Sequence, residues 1–109
     1  MPAVLEYLDE QGASPFGRWF ERLDARAAAK VAVARIKLAA GHMGNVKAVG
    51  EGVSEYRIDH GPGYRLYFGN DGTALILLLL GGDKTTQPRD IAQAKALWQD
   101  YRKRKKANP

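Results

Sequence analysis

Apolar and polar residues alternate in "VLEYL" (residues 4–8). That pattern predicts a strand, because strand side chains change face with a period of two. "GAS" then interrupts it. Ser14 can cap a helix with Pro15 at its first position, and Phe16, Trp19, Phe20 and Leu23 follow at helical spacing. Asp24 can cap a longer helix, "ARAAAKVAVARIKLAA", which is rich in strong helix formers and ends at Gly41. "GHMGNVKAVGEG" (residues 41–52) reads as a glycine-rich loop. "VSEYRIDH" (53–60) and "YRLYF" (64–68) read as strands around a Gly-Pro-Gly turn, and "GNDG" (69–72) signals a hairpin. "TALILLLL" (73–80) is apolar without a break, so it is expected to be central and covered on both faces. After "GGDKTTQP", a last helix is expected to start near Arg89 or Asp90, with Ile91, Ala94, Leu97, Trp98 and Tyr101 along one side. The order predicts one α+β domain over residues 1–101. It has a small antiparallel sheet of about four strands (β-α-α-β-β-β-α), an N-terminal helical hairpin packed on the sheet, and a C-terminal helix. A basic tail follows at 102–109.

The strands around the Gly-Pro-Gly turn each carry one arginine. A three-residue turn at 61–63 pairs Asp59 with Arg65 and Arg57 with Tyr67. One face then collects Tyr56, Ile58, His60, Tyr64, Leu66 and Phe68, and the other Arg57, Asp59, Arg65 and Tyr67. Both arginines are thus expected outside the core, where alanine in their place changes stability little. Two readings of that face stand side by side. Paired guanidinium groups on a sheet suit a phosphodiester. A solvated face with an Arg65–Asp59 cross-strand pair is the other. The apolar part of this side needs a cover, either the last helix or a partner protein.

Composition narrows the function classes. The chain has 109 residues and no cysteine, which excludes a disulfide framework and a thiolate metal site and fits a reducing compartment. The first residues, "MPAVLEYLDEQ", lack the basic start of a signal peptide, and no apolar run is long enough to span a bilayer. The net charge is +5, but "RKRKK" (102–106) holds five of the seventeen cations and leaves twelve against twelve acids. A basic site on the body therefore needs local clustering. The tail attracts phosphate backbones non-specifically or is a frayed, solvated end. Lys84 lies just past the end of the apolar strand in "GGDKTTQ", which is not a P-loop. His42 and His60 have no metal-ligand spacing, and His60 falls on the apolar face as a core histidine. Trp19 and Trp98 sit on helical stripes as core residues.

"GVSEYRIDHGPGYRLYF" followed by "LILLLLGGDKTTQPRDIAQAKALW", with "SPFGRWFERL" and "GHMGNVKAVGEG" before them, resembles the RelE/HigB-type toxins of the RelE/ParE superfamily. The resemblance implies the toxin of a type II toxin–antitoxin module. Such a protein is cytoplasmic and is held by a helix-turn-helix antitoxin encoded beside it. It cuts mRNA on the ribosome without a metal or other cofactor, by attack of the 2′-hydroxyl on the adjacent phosphate. The resemblance gives Arg57, Arg65 and Lys84 the catalytic positions. It gives Tyr67, Lys47, Gln87, Lys103 and Arg104 the substrate-binding ones. Relatives often carry a tyrosine or histidine near the C-terminus as general acid. Here none occurs after Lys84 until Tyr101. Two alternatives share part of this pattern: a gyrase-targeting ParE-like toxin without nuclease activity, and a non-catalytic basic nucleic-acid-binding accessory protein.

Overall fold

The computed structural model describes residues 2–107. In chain order they form β1 (Ala3–Glu6), α1 (Pro15–Glu21), α2 (Ala25–Ala39), β2 (Val46–Gly50), β3 (Val53–Ile58), β4 (Tyr64–Asp71) and β5 (Leu75–Asp83). One 3-10 turn (Lys84–Thr86) then leads into α3 (Gln87–Ala107). The fold is mixed α/β, with one sheet in the order β1-β5-β4-β3-β2. Two expectations change. The sheet has five strands where about four were expected, and it is mixed, because β1 runs parallel to β5. The added strand, β2, lies inside the segment read as a glycine-rich loop. Those glycines serve a tight hairpin instead. Glu51 and Gly52 both have positive φ (55° and 84°), as a type I′ turn requires, and "GEG" lacks the usual Asn-Gly or Asp-Gly signature.

Both expected N-caps form. Ser14 Oγ accepts from the Gly17 N–H at 2.8 Å, and Asp24 Oδ1 accepts from the Ala27 N–H at 2.9 Å. Glu6 then ties both helices to β1, accepting from the Ser14 hydroxyl at 2.7 Å and from Arg35 at 3.1 Å. α1 and α2 cover one face of the sheet, where Phe16, Val31 and Leu38 pack on Tyr56, Ile58, Leu66, Phe68 and Leu78. α3 covers the other, where Ala94 and Trp98 pack on Val53, Tyr67, Leu77, Leu79 and Leu80. The last helix thus covers the apolar part of the arginine side. An irregularity in the β4–β5 ladder pairs Tyr67 with Leu80 but Phe68 with Leu78, which turns both Leu79 and Leu80 toward α3.

α3 starts at Gln87, two or three residues earlier than expected. Asp83 explains this, because its carboxylate caps the 3-10 turn, accepting from the Thr85 N–H at 2.8 Å and the Thr85 hydroxyl at 2.6 Å. Far down the helix, residues 102–107 continue it instead of fraying as a separate tail. Two clasps hold that end. Asp100 accepts from Tyr7 at 2.6 Å and from Arg104, while Asp71 accepts from Tyr101 and from Lys105, each at 2.5 Å.

Trp98 is 5% exposed and lies flat against Gly69, where a β-carbon has no room. Gly69→Ala is expected to overpack this contact and lower stability by about 1–3 kcal/mol in urea unfolding. An unchanged midpoint would contradict the close seating of Trp98 on β4.

Candidate functional site

The β3–β4 hairpin keeps the expected faces but shifts its partners. Ile58 opposes Tyr64 and Arg57 opposes Arg65, so the connecting loop is the five residues 59–63 and not three. A two-residue shift preserves parity, which is why the face assignment survives while the pairing does not. Asp59 and His60 leave the strand for the loop. His60 is half-exposed and stacks on Tyr64 with ring centroids 6.3 Å apart, so it is not a core histidine.

Placing two guanidinium groups directly opposite each other is unfavourable without an acid nearby. The acid is Glu55, not Asp59. Glu55 is only 2% exposed, with Oε2 3.7 Å from Arg65 Nε. Its Oε1 accepts from Gln87 Nε2 at 2.9 Å. Arg65 also donates from Nη1 to the Gly63 carbonyl at 2.7 Å. Its side chain is just 12% exposed, so Arg65 is not the solvent-side residue that parity implied. Replacing it would leave the Glu55 carboxylate buried without its counter-charge, which is costly. Arg57 is exposed and, among the described residues, makes no hydrogen bond or ion pair through its side chain. Its backbone N–H donates to the Asn45 carbonyl at 3.1 Å, which brings the end of the 41–45 segment alongside.

Lys84 is exposed on the 3-10 turn, with Cβ 3.6 Å from where a β-carbon on Gly63 would stand. Arg57, Arg65 and Lys84, from two strands and a turn, therefore line one open groove of about 610 Å³. Asn45, Asp59 and the Gly61–Gly63 backbone complete it. Three cations face one carboxylate in this lining. Among the described residues no group of three or more histidine, cysteine or acidic side chains is placed to hold a metal ion.

The remaining expected residues separate. Gln87 is half-buried and holds Glu55, so its position is structural behind the groove. Lys47 stands opposite Glu55 on the exposed edge strand β2, beside the groove and not in its lining. Tyr67 is fully buried beneath α3, which overturns its role as a stacking surface for a base. Lys103 and Arg104 lie roughly 24–26 Å along α3 from Gln87, too far to share a bound phosphate. Arg104 is also engaged, bonding Asp100 at 2.9 Å and the Leu8 carbonyl at 2.7 Å and lying over the Tyr7 ring. The sequence reading missed Glu55 and Asn45. Glu55 was legible in principle, since "EYR" puts it on the face of Arg57.

The chain is 45% identical over 86 residues to an uncharacterized protein of Haemophilus influenzae. The match spans 78% of this chain and 87% of that protein. The two belong to one family. No family model matches the chain. The matched 86 residues amount to most of the domain, so the relative is expected to share the sheet on which the groove is built.

The Tyr67 hydroxyl is buried without a hydrogen-bond partner. Burial, reinforced by the negative charges of Glu55 and Asp90, holds its phenol well above the ordinary value of 10.0. A phenol raised in the fold keeps its proton where the unfolded chain has lost it. Its contribution is whole below pH 10.0 and is lost as pH rises beyond that. Tyr67→Phe is therefore expected to soften the alkaline loss of stability. At neutral pH it should be neutral or stabilising by up to about 1 kcal/mol. A neutral-pH loss above that in chemical denaturation would show that the hydroxyl is bonded.

Proposed function

We propose that this protein is the toxin of a type II toxin–antitoxin module, of the RelE/HigB type. Its activity is that of an endoribonuclease that cuts translated mRNA in the cytoplasm, with a helix-turn-helix antitoxin and the ribosome as partners. One observation carries the reading: Arg57, Arg65 and Lys84, distant in sequence, line the same open groove. A groove with three cations, glycine backbone and one carboxylate is suited to a phosphodiester and to the extra negative charge of a phosphorane. It needs no apolar pocket for a small molecule.

In this reading the phosphate lies between Arg57 and Lys84, whose charged ends have no partner among the described residues. Arg65 is held by Glu55 and the Gly63 carbonyl, so its fork loses little freedom on binding. The 2′-oxygen attacks phosphorus and the bond to the 5′-oxygen breaks, leaving a 2′,3′-cyclic phosphate. Asp59, the carboxylate in the lining, takes the 2′-hydroxyl proton. Lys84 gives a proton to the departing 5′-oxygen. No helix among the described residues is long and apolar enough to cross a membrane, which is compatible with this assignment.

The test is inducible expression in bacteria with transcriptome-wide mapping of RNA 5′ ends, for the wild type and for Arg57→Ala/Lys84→Ala. Both residues are exposed, so the purified double variant is expected to fold within about 1 kcal/mol of the wild type. New ends inside reading frames are expected with the wild type alone. Growth arrest without new ends would overturn the nuclease reading, and identical ends from the folded variant would overturn the assignment to this groove.

A further inference from the structure

A second cleft, of about 550 Å³, opens between α1 and α3 across the end of β5. Arg18, Arg22 and Arg89 are exposed along it, while Trp19, Leu80 and Leu97 give it an apolar wall. Its three carboxylates are already engaged. Asp9 accepts from the Gln11 and Ala13 N–H groups, each at 2.9 Å, and Asp83 accepts from Thr85. Asp90 is buried and accepts from the Thr86 hydroxyl, with Arg89 at 3.5 Å. Arg18 and Arg22 make no side-chain hydrogen bond or ion pair among the described residues. The cleft therefore presents uncommitted guanidinium groups beside apolar surface.

Its position gives this meaning. Asp83 lines this cleft and Lys84, the next residue, lines the groove of Arg57 and Arg65. Arg89 follows Lys84 by five residues, roughly 9 Å along a 3-10 turn and the first turn of a helix. A strand lying in one depression can continue into the other over that turn. Resting on the ribonuclease reading, we propose that the α1–α3 cleft is a second subsite for single-stranded RNA. It takes nucleotides flanking the phosphate held by Arg57, Arg65 and Lys84. Arg18 and Arg22 bind phosphate oxygens, and the apolar wall receives a base. An acidic protein segment would use the arginines but has less use for that wall.

The probe is a fluorescein-labelled, 2′-O-methylated single strand of roughly twelve nucleotides, followed by fluorescence anisotropy over a range of salt. Arg18→Ala/Arg22→Ala is expected to weaken binding about tenfold at low salt. It should flatten the plot of log affinity against log salt by about 1.4, for two phosphate contacts on a single strand. Arg18→Lys/Arg22→Lys is expected to keep most of the slope, because it keeps the charge. Unchanged affinity and slope for the alanine pair, with weakened binding for Arg57→Ala/Lys84→Ala, would overturn the subsite and leave the first groove standing. An alanine pair that loses binding to a polyglutamate peptide but keeps RNA affinity would overturn it in favour of an acidic protein partner. A wild type that does not bind the strand at all would overturn the subsite together with the reading on which it rests.

Discussion

Glu55 is an acid at 2% exposure, and the arrangement around it decides what the rest of the site can be. A carboxylate so placed demands compensation, because an uncompensated buried charge costs several kcal/mol. Here the compensation comes from two directions. Arg65 approaches from the neighbouring strand, and Gln87 reaches down from the first turn of α3. One side chain thus ties together the β3–β4 hairpin, the first turn of α3 and a guanidinium group. Arg65 is held at the edge of the groove by the same contacts that keep Glu55 buried.

That constraint sorts the cations of the chain. The most concentrated run, at 102–106, carries the least information about a site. Arg104 pairs with Asp100 within α3 and donates to the Leu8 carbonyl just past β1, while Lys105 binds Asp71 at the end of β4, so the end of α3 is fastened to the sheet. Hydrogen bonds from Tyr7 and Arg104 hold the Asp100 carboxyl below its usual range, and those from Lys105 and Tyr101 do the same for Asp71. Arg57 and Lys84, sparser cations at the opposite end of the sheet, have no side-chain partner among the described residues and share the lining of one groove. Charge that is already paired stabilises structure, whereas charge held in place without a partner is available to a ligand.

Much of the fold was legible because its signals were local. Ser14-Pro15 and Asp24 announced two helix starts, and the unbroken "ILLLL" run announced a strand buried on both faces. Parity was also robust, since the arginine face survived a register error of two residues. The failures share a cause in tertiary context. β2 is short, exposed at most positions and followed by glycines, so nothing local separates it from a loop. Tyr67 reads as a surface phenol by parity, but α3 buries it completely. The partner of Arg65 was assigned to Asp59 because loop length cannot be read from "GPG" alone, while the true partner lay two residues before Arg57.

We infer that the groove at the β3–β4 turn, and not the basic end of α3, is where this protein meets a phosphodiester. It is tested most directly by titrating the isotope-labelled protein with a 2′-O-methylated dinucleotide and following backbone amide and arginine side-chain resonances by NMR. Shifts are expected at Asn45, Gly61, Gly63 and Lys84 and at the Arg57 and Arg65 guanidinium groups, with Arg102, Lys103 and Lys106 unmoved. Shifts confined to residues 102–106, with the groove silent, would contradict it.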